Sequence, residues 1–140
     1  MTEKTGLEWL TVGATVAYIC NSRLSSRVRE AVVDRIGKRD VVVLVDGDEG
    51  RFNITRTRAR GETAWLHEYG DGLSGRSWDL APLDHPEVLV IKAAQKRRAV
   101  TTSVGHAADK FKNRGDVESA KALRDAVDAF LKLAEPDDQP

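Results

Sequence analysis

The stretch from Val28 to Ile54 constrains this chain most. Apolar-rich segments there are interrupted twice by tight-turn signals, Gly37-Lys38-Arg39-Asp40 and Asp46-Gly47-Asp48-Glu49-Gly50. Glycine and aspartate tolerate the left-handed backbone that short hairpins need, so the pattern predicts an antiparallel β-meander. Between the turns, Val41-Val42-Val43-Leu44-Val45 is β-branched and too short for a typical helix. The spacing predicts strands over 28–36, 40–46 and 51–55, the last with Phe52 and Ile54 on one side.

Upstream, Gly13 marks a bend that feeds a strand with Val16 and Tyr18 on one face, and residues 21–26 read as a polar loop. Downstream, alternation over 63–69 sets Trp65, His67 and Tyr69 opposite Ala64, Leu66 and Glu68. Residues 70–75 form a glycine-rich loop, and 77–80 close the sheet.

From residue 84 the hydrophobic period changes. Asp84-His85-Pro86-Glu87 has the form of a helix start, with Asp84 as N-cap, Glu87 returning its hydrogen bond and Pro86 in the permissive first turn. Val88, Ile91, Ala94, Val104, Ala108 and Phe111 approximate an apolar stripe, weakened at Thr101-Thr102-Ser103 and Gly105. Asn113-Arg114-Gly115-Asp116 couples a glycine C-cap to a new aspartate N-cap. Over 117–134, Ala120, Leu123, Val127, Phe130 and Leu131 recur at intervals of three and four, which completes an α-helical hairpin. The predicted class is therefore α+β: a small antiparallel β-barrel of about five to six strands over 1–83, a helical hairpin over 84–135 and a frayed tail over 136–140.

The opening Val12-Gly13-Ala14-Thr15-Val16-Ala17, followed by a meander of short strands ending near Ser77 to Leu83, resembles the SH3-like small barrels of the Tudor and KOW type. The resemblance covers the barrel alone and implies a binding module. Such barrels hold nucleic acid in some families and peptides or protein partners in others. In its Arg-, Asp-, Val- and Ala-rich style the chain also resembles small proteins of actinobacteria and their phages.

Composition limits the chemistry. Lys plus Arg and Asp plus Glu number 22 each, so no global positive field draws this protein to nucleic acid and any such case is local. Cys20 is the only cysteine, which excludes an internal disulfide and a thiolate-rich zinc site. Met1-Thr2-Glu3-Lys4 lacks a secretory pattern and no apolar run approaches the roughly 20 residues of a membrane span. The expectation is a soluble cytoplasmic protein with no membrane association. His67, His85 and His106 lack metal-ligand spacing, so neither a metal nor a cofactor is expected. Cys20 becomes a nucleophile only if a histidine meets it in space; a small buried hydrophobe is the plainer account. No catalytic residue is assigned.

Two basic elements stand out. Lys92, Lys96, Arg97, Arg98, Lys110, Lys112 and Arg114 face Asp109 alone over 92–114, whereas over 115–140 seven acids face Lys121, Arg124 and Lys132. Either the first helix contacts phosphates, or the two helices simply attract each other. Arg56, Arg58 and Arg60 alternate, so an extended backbone sets their guanidinium groups on one face, as for a phosphate backbone or for a charged strand edge that resists aggregation. The leading expectation is a non-enzymatic module that binds nucleic acid through Arg56, Arg58, Arg60, Lys96, Arg97 and Arg98, with Trp65 and Tyr69 as the better exposed aromatics for stacking. The alternative is a protein-interaction or homo-oligomeric assembly module, in which Ala120, Ala122, Ala126 and Ala129 let helices approach closely.

Overall fold

A computed structural model describes residues 6–70 and 75–135 of the protein. The N-terminal residues read above for targeting, the tip of the 70–75 loop and the 136–140 tail lie outside the described residues. The chain divides into two compact units, Met1–Lys92 and Ala93–Pro140.

The first unit holds strands β1 (Thr15–Asn21), β2 (Ser26–Ile36), β3 (Asp40–Val45), β4 (Asp48–Asn53), β5 (Thr57–Arg60), β6 (Thr63–Tyr69) and β7 (Ser77–Pro82). They form one antiparallel sheet in the order β4-β3-β2-β1-β7-β6-β5. The strand beyond the expected five to six is β5. Its residues Thr57-Arg58-Ala59-Arg60 carry no apolar alternation, because an edge strand with two charged side chains has little to bury.

The order forces curvature. β4 and β5 are the outer strands of the sheet, yet only residues 54–56 join them. Four Cα steps reach at most about 14 Å, whereas the outermost of seven flat strands stand roughly 29 Å apart. The sheet must therefore curl until its edges meet, giving a barrel-like half-closed sheet. An Asx-turn makes the joint: Asn53 Oδ1 accepts from Thr55 N at 2.9 Å and Thr55 Oγ1 at 2.6 Å. Backbone and side chain then tie the edges, since His67 N donates to Arg56 O at 2.9 Å and Asn53 N to Glu68 Oε1 at 2.8 Å.

Local chemistry explains the strands. Asp46 and Gly47 both have positive φ, 51° and 87°, and Val45 pairs directly with Asp48. This two-residue turn has the twist of the strands it joins, so β4 resumes at Asp48 rather than at residue 51 as the sequence predicts. In β2 the register shifts between Val33 and Arg35. The extra residue, Asp34, lets Ile36 pair with Val41 on the inner face while Arg35 turns outward; uninterrupted alternation would do the reverse.

Both faces of the sheet bury apolar side chains. Inside the curl lie Leu10, Val16, Ala31, Val33, Val41, Val43, Val45, Phe52, Leu66 and Leu80. On the outer face Ala17, Ile19, Val28, Trp65 and Ala81 form a second cluster, which Val88 completes from the first turn of α1 (Pro86–Arg114). The expected pairings of Phe52 with Ile54, and of Trp65 with His67 against Leu66, agree with this division.

Helix α1 runs unbroken through the expected weak points, where Thr101 Oγ1 and Ser103 Oγ donate back to Arg97 O and Ala99 O at 2.8 and 3.1 Å. Its start corrects the sequence reading. His85, not Asp84, occupies the capping position: its Nδ1 accepts from Glu87 N at 3.1 Å, and its carbonyl takes the first helical bond from Leu89 N at 3.0 Å. Pro86 brings no N–H and a helical φ, so the helix opens there and the residue before it becomes the cap. No helix among the described residues is long and apolar enough to cross a membrane.

Gly115 ends α1 with φ 61°, and Asp116 caps α2 (Val117–Ala134). Asp116 Oδ1 accepts from Ser119 Oγ at 2.5 Å and from Ser119 N at 2.9 Å. These bonds, the side-chain one first, hold the Asp116 carboxyl below its ordinary value. A lowered pKa means that the carboxylate's contribution is complete above the ordinary carboxylate range and is lost as pH falls through the lowered value. The helical circular-dichroism signal of Asp116→Ala is expected to fall short of the native one at neutral pH and to match it in acid. A difference that persisted in acid would assign the cap to something other than the carboxylate.

Candidate functional site

Cross-strand register assembles a polar network on the outer face of the first unit. Directly paired residues share a face, which aligns Tyr69 with Ser77, Asn21 and Ser26, and His67 with Asp79 and Ile19. His67 Nδ1 lies 2.5 Å from Asp79 Oδ1, and Asn21 Nδ2 donates to Asp79 Oδ2 at 2.7 Å and to Ser77 Oγ at 3.3 Å. Ser26 Oγ in turn donates to Asn21 Oδ1 at 2.6 Å. The His67 and Asp79 side chains are only 6% and 9% exposed. An ionised Asp79 only accepts, so the proton of this contact sits on His67 Nδ1, while Nε2 of the ring is buried without a hydrogen-bond partner.

Each arginine of the alternating stripe is engaged. Arg56 pairs with Glu68 at 3.1 Å, at the joint that closes the sheet. Arg58 donates to the Tyr69 hydroxyl at 3.0 Å, with its guanidinium 5.8 Å from the ring centre. Arg60 lies 5.1 Å over the Trp65 ring, and its buried Nε stands 3.1 Å from Glu87 Oε2, an ionic contact without hydrogen-bond alignment. Tyr69 is 64% exposed, whereas Trp65 is only 3% exposed. The expected exposure of Trp65 is thus corrected: Val88, Ile19 and Ala81 pack with it, and the His85 ring meets it edge-on at 5.0 Å. Lys96, Arg97 and Arg98 are exposed on α1, in the second unit.

Register also separates Cys20 from His67. Cys20 pairs with Trp78 and Arg27 and shares the face of Tyr18, opposite the face that carries His67. Among the described residues no three His, Cys, Asp or Glu side chains cluster as metal ligands would.

Sequence reasoning missed the Asn21–Asp79–His67 network. Its one readable signal is Asp79, a charge placed in step with Ala81 between the apolar Trp78 and Leu80; its partners come from two other strands, β1 and β6.

The second unit presents a different surface. Val100, Val104, Ala107 and Ala108 of α1, and Ala120, Leu123, Val127, Phe130 and Ala134 of α2, are all only half-buried, and the one buried residue described there is Ser119. Phe111 (38%), Leu131 (43%) and Val117 (69%) are exposed. Lys96, Arg97, Lys110 and Lys112 make no ion pair with a carboxylate of α2. Two helices alone cannot enclose a core, and this pair leaves its apolar stripes open.

Compared with known proteins, the chain matches no family model, no curated protein and no solved structure.

Proposed function

We propose that this protein is a non-enzymatic assembly module: an SH3-like barrel carrying a helical hairpin that a second copy of the chain completes. The observation that carries this reading is the hairpin's missing core, two apolar stripes with no fully buried apolar residue among those described over 93–135. Charge complementarity selects the partner. α1 is basic, whereas α2 with its flanking Asp116 and Glu135 carries five acids against three cations, and the four exposed cations above have no acidic partner on α2, so in a two-fold arrangement α1 of each copy meets α2 of the other. The barrel assignment rests on the curled antiparallel sheet and its short closing connection.

Sedimentation equilibrium is the test. The protein is expected to dimerise with a Kd below about 10 μM, and Leu131→Lys with Phe111→Lys to weaken that by tenfold or more, about 1.4 kcal/mol. Both side chains are exposed, so the hairpin itself tolerates the change. A strictly monomeric native protein at about 100 μM, ten times that Kd, would overturn the reading.

The second reading is nucleic-acid binding through Lys96, Arg97 and Arg98. It is favoured by the exposure of all three and by the lack of an ion pair at Lys96 and Arg97. On the barrel, by contrast, Glu68 and Glu87 accompany Arg56 and Arg60. Its signature is affinity for mixed-sequence DNA or RNA that falls steeply with salt.

A further inference from the structure

In the first unit a cleft of about 350 Å³ opens beside the polar network. Ile19, Asn21, Trp65 and Asp79 line it from the strands, Glu87, Val90 and Ile91 from the first turns of α1, and Arg60 from β5. Besides Arg60 Nε, which faces Glu87, two polar groups on its lining are buried with hydrogen-bonding capacity left over. The Trp65 indole N–H has no partner although the residue is 3% exposed. Buried tryptophan N–H groups almost always find an acceptor, because an unpaired one forfeits its hydration for nothing. Asp79, 6% exposed, spends one lone pair of each oxygen on His67 and Asn21 and retains the second.

We propose that this cleft binds a small planar lactam or ureide, a molecule with a carbonyl oxygen and an N–H side by side on one edge. The carbonyl accepts from Trp65 Nε1 and the neighbouring N–H donates to the Asp79 carboxylate. Ile19, Val90 and Ile91 supply apolar surface for the ring. Charge selects a neutral ligand. The one cation of the lining, Arg60, is already matched by Glu87, so Asp79 opposes phosphates and carboxylates. An organic cation satisfies Asp79 and leaves the indole N–H unpaired. Asn21 and His67 hold the carboxylate in place before a ligand arrives, which reduces the ordering that binding requires.

The test is a titration of the full chain with uracil and with hydantoin, following the Trp65 indole N–H resonance, assigned by its loss in Trp65→Phe. Either probe is expected to move that resonance saturably downfield and to slow its exchange with water. 1,3-Dimethyluracil, which keeps the carbonyls and lacks the N–H, is expected to bind at least tenfold more weakly. Val90→Trp should weaken uracil or hydantoin binding tenfold or more by filling the mouth; Val90 is 69% exposed, so an unchanged melting curve is the accompanying control. A Trp65 resonance indifferent to both probes, or equally sensitive to the dimethylated one, overturns the proposal.

Discussion

Phe52→Ala is expected to destabilise the first unit by roughly 3–5 kcal/mol, a large share of the about 5–15 kcal/mol that holds a typical domain folded. Phe52 is among the largest fully buried side chains of the molecule, 1% exposed, on the strand that approaches the sheet's closing joint. It packs inside the curl with Val41, Val43 and Leu66 and meets Tyr18 edge-on, with ring centres 5.9 Å apart. Burial, and after it the neighbouring Cys20, raises the Tyr18 phenol above its ordinary pKa, so Tyr18 stays uncharged against this core. Removing the ring leaves a cavity that the curled sheet collapses into poorly, because close-packed strands held in register by their neighbours have little freedom to shift. Urea unfolding followed by tryptophan fluorescence measures the loss. A cost below about 1.5 kcal/mol, the level of a volume-conserving swap, would mean that Phe52 does not fill the interior.

The second large effect is expected at Asp79. Asp79→Ala strands the His67 Nδ1–H in a site almost closed to water and leaves the half-buried Asn21 amide with Ser77 Oγ alone. A buried donor without a partner costs about 1–3 kcal/mol, so the variant should lose roughly 3 kcal/mol in total. Much of that penalty belongs to the abandoned partners rather than to the carboxylate. His67→Phe should accordingly cost less in the Asp79→Ala background than in the native one, by about 1–2 kcal/mol in a double-mutant cycle. Strictly additive costs would show that the two side chains do not act as a unit. The same cycle separates this structural role from ligand binding, which is read at Trp65.

Several features of the fold were legible because their causes are local. Asp46-Gly47 announces a hairpin, since both residues accept positive φ. Gly115-Asp116 announces the break between helices for the same kind of reason, a left-handed C-cap followed by a side-chain acceptor. The valine run of β3 reads as a strand without help from its neighbours. The start of α1 was legible only to within a residue, because a histidine took the capping role normally given to aspartate.

The misread features have partners distant in sequence. Trp65, His67 and Tyr69 were correctly set on one face, but what covers that face comes from elsewhere: Val88 and His85 at the head of α1 shield Trp65 and leave Tyr69 open. The alternation of Arg56, Arg58 and Arg60 was plain, yet Glu68, Tyr69 and Glu87, which engage them, lie 11 or more residues away. An arginine's charge is a property of its residue; whether that charge is free depends on which acid the fold brings within about 4 Å.

Sequence by itself determined the period of each segment, the turns between them, the even charge and the basic character of the first helix. These follow from side-chain shape and backbone freedom, which act over a few residues. Only the tertiary structure decided that the sheet curls on itself, that Asp34 reverses the faces of β2, that Asp79 gathers His67 and Asn21, and that Trp65 lines a cleft instead of standing in solvent. The reason is physical. Strand order and register come from burying apolar area on both faces at once, and that optimum is a property of the whole sheet, to which no single segment carries the answer.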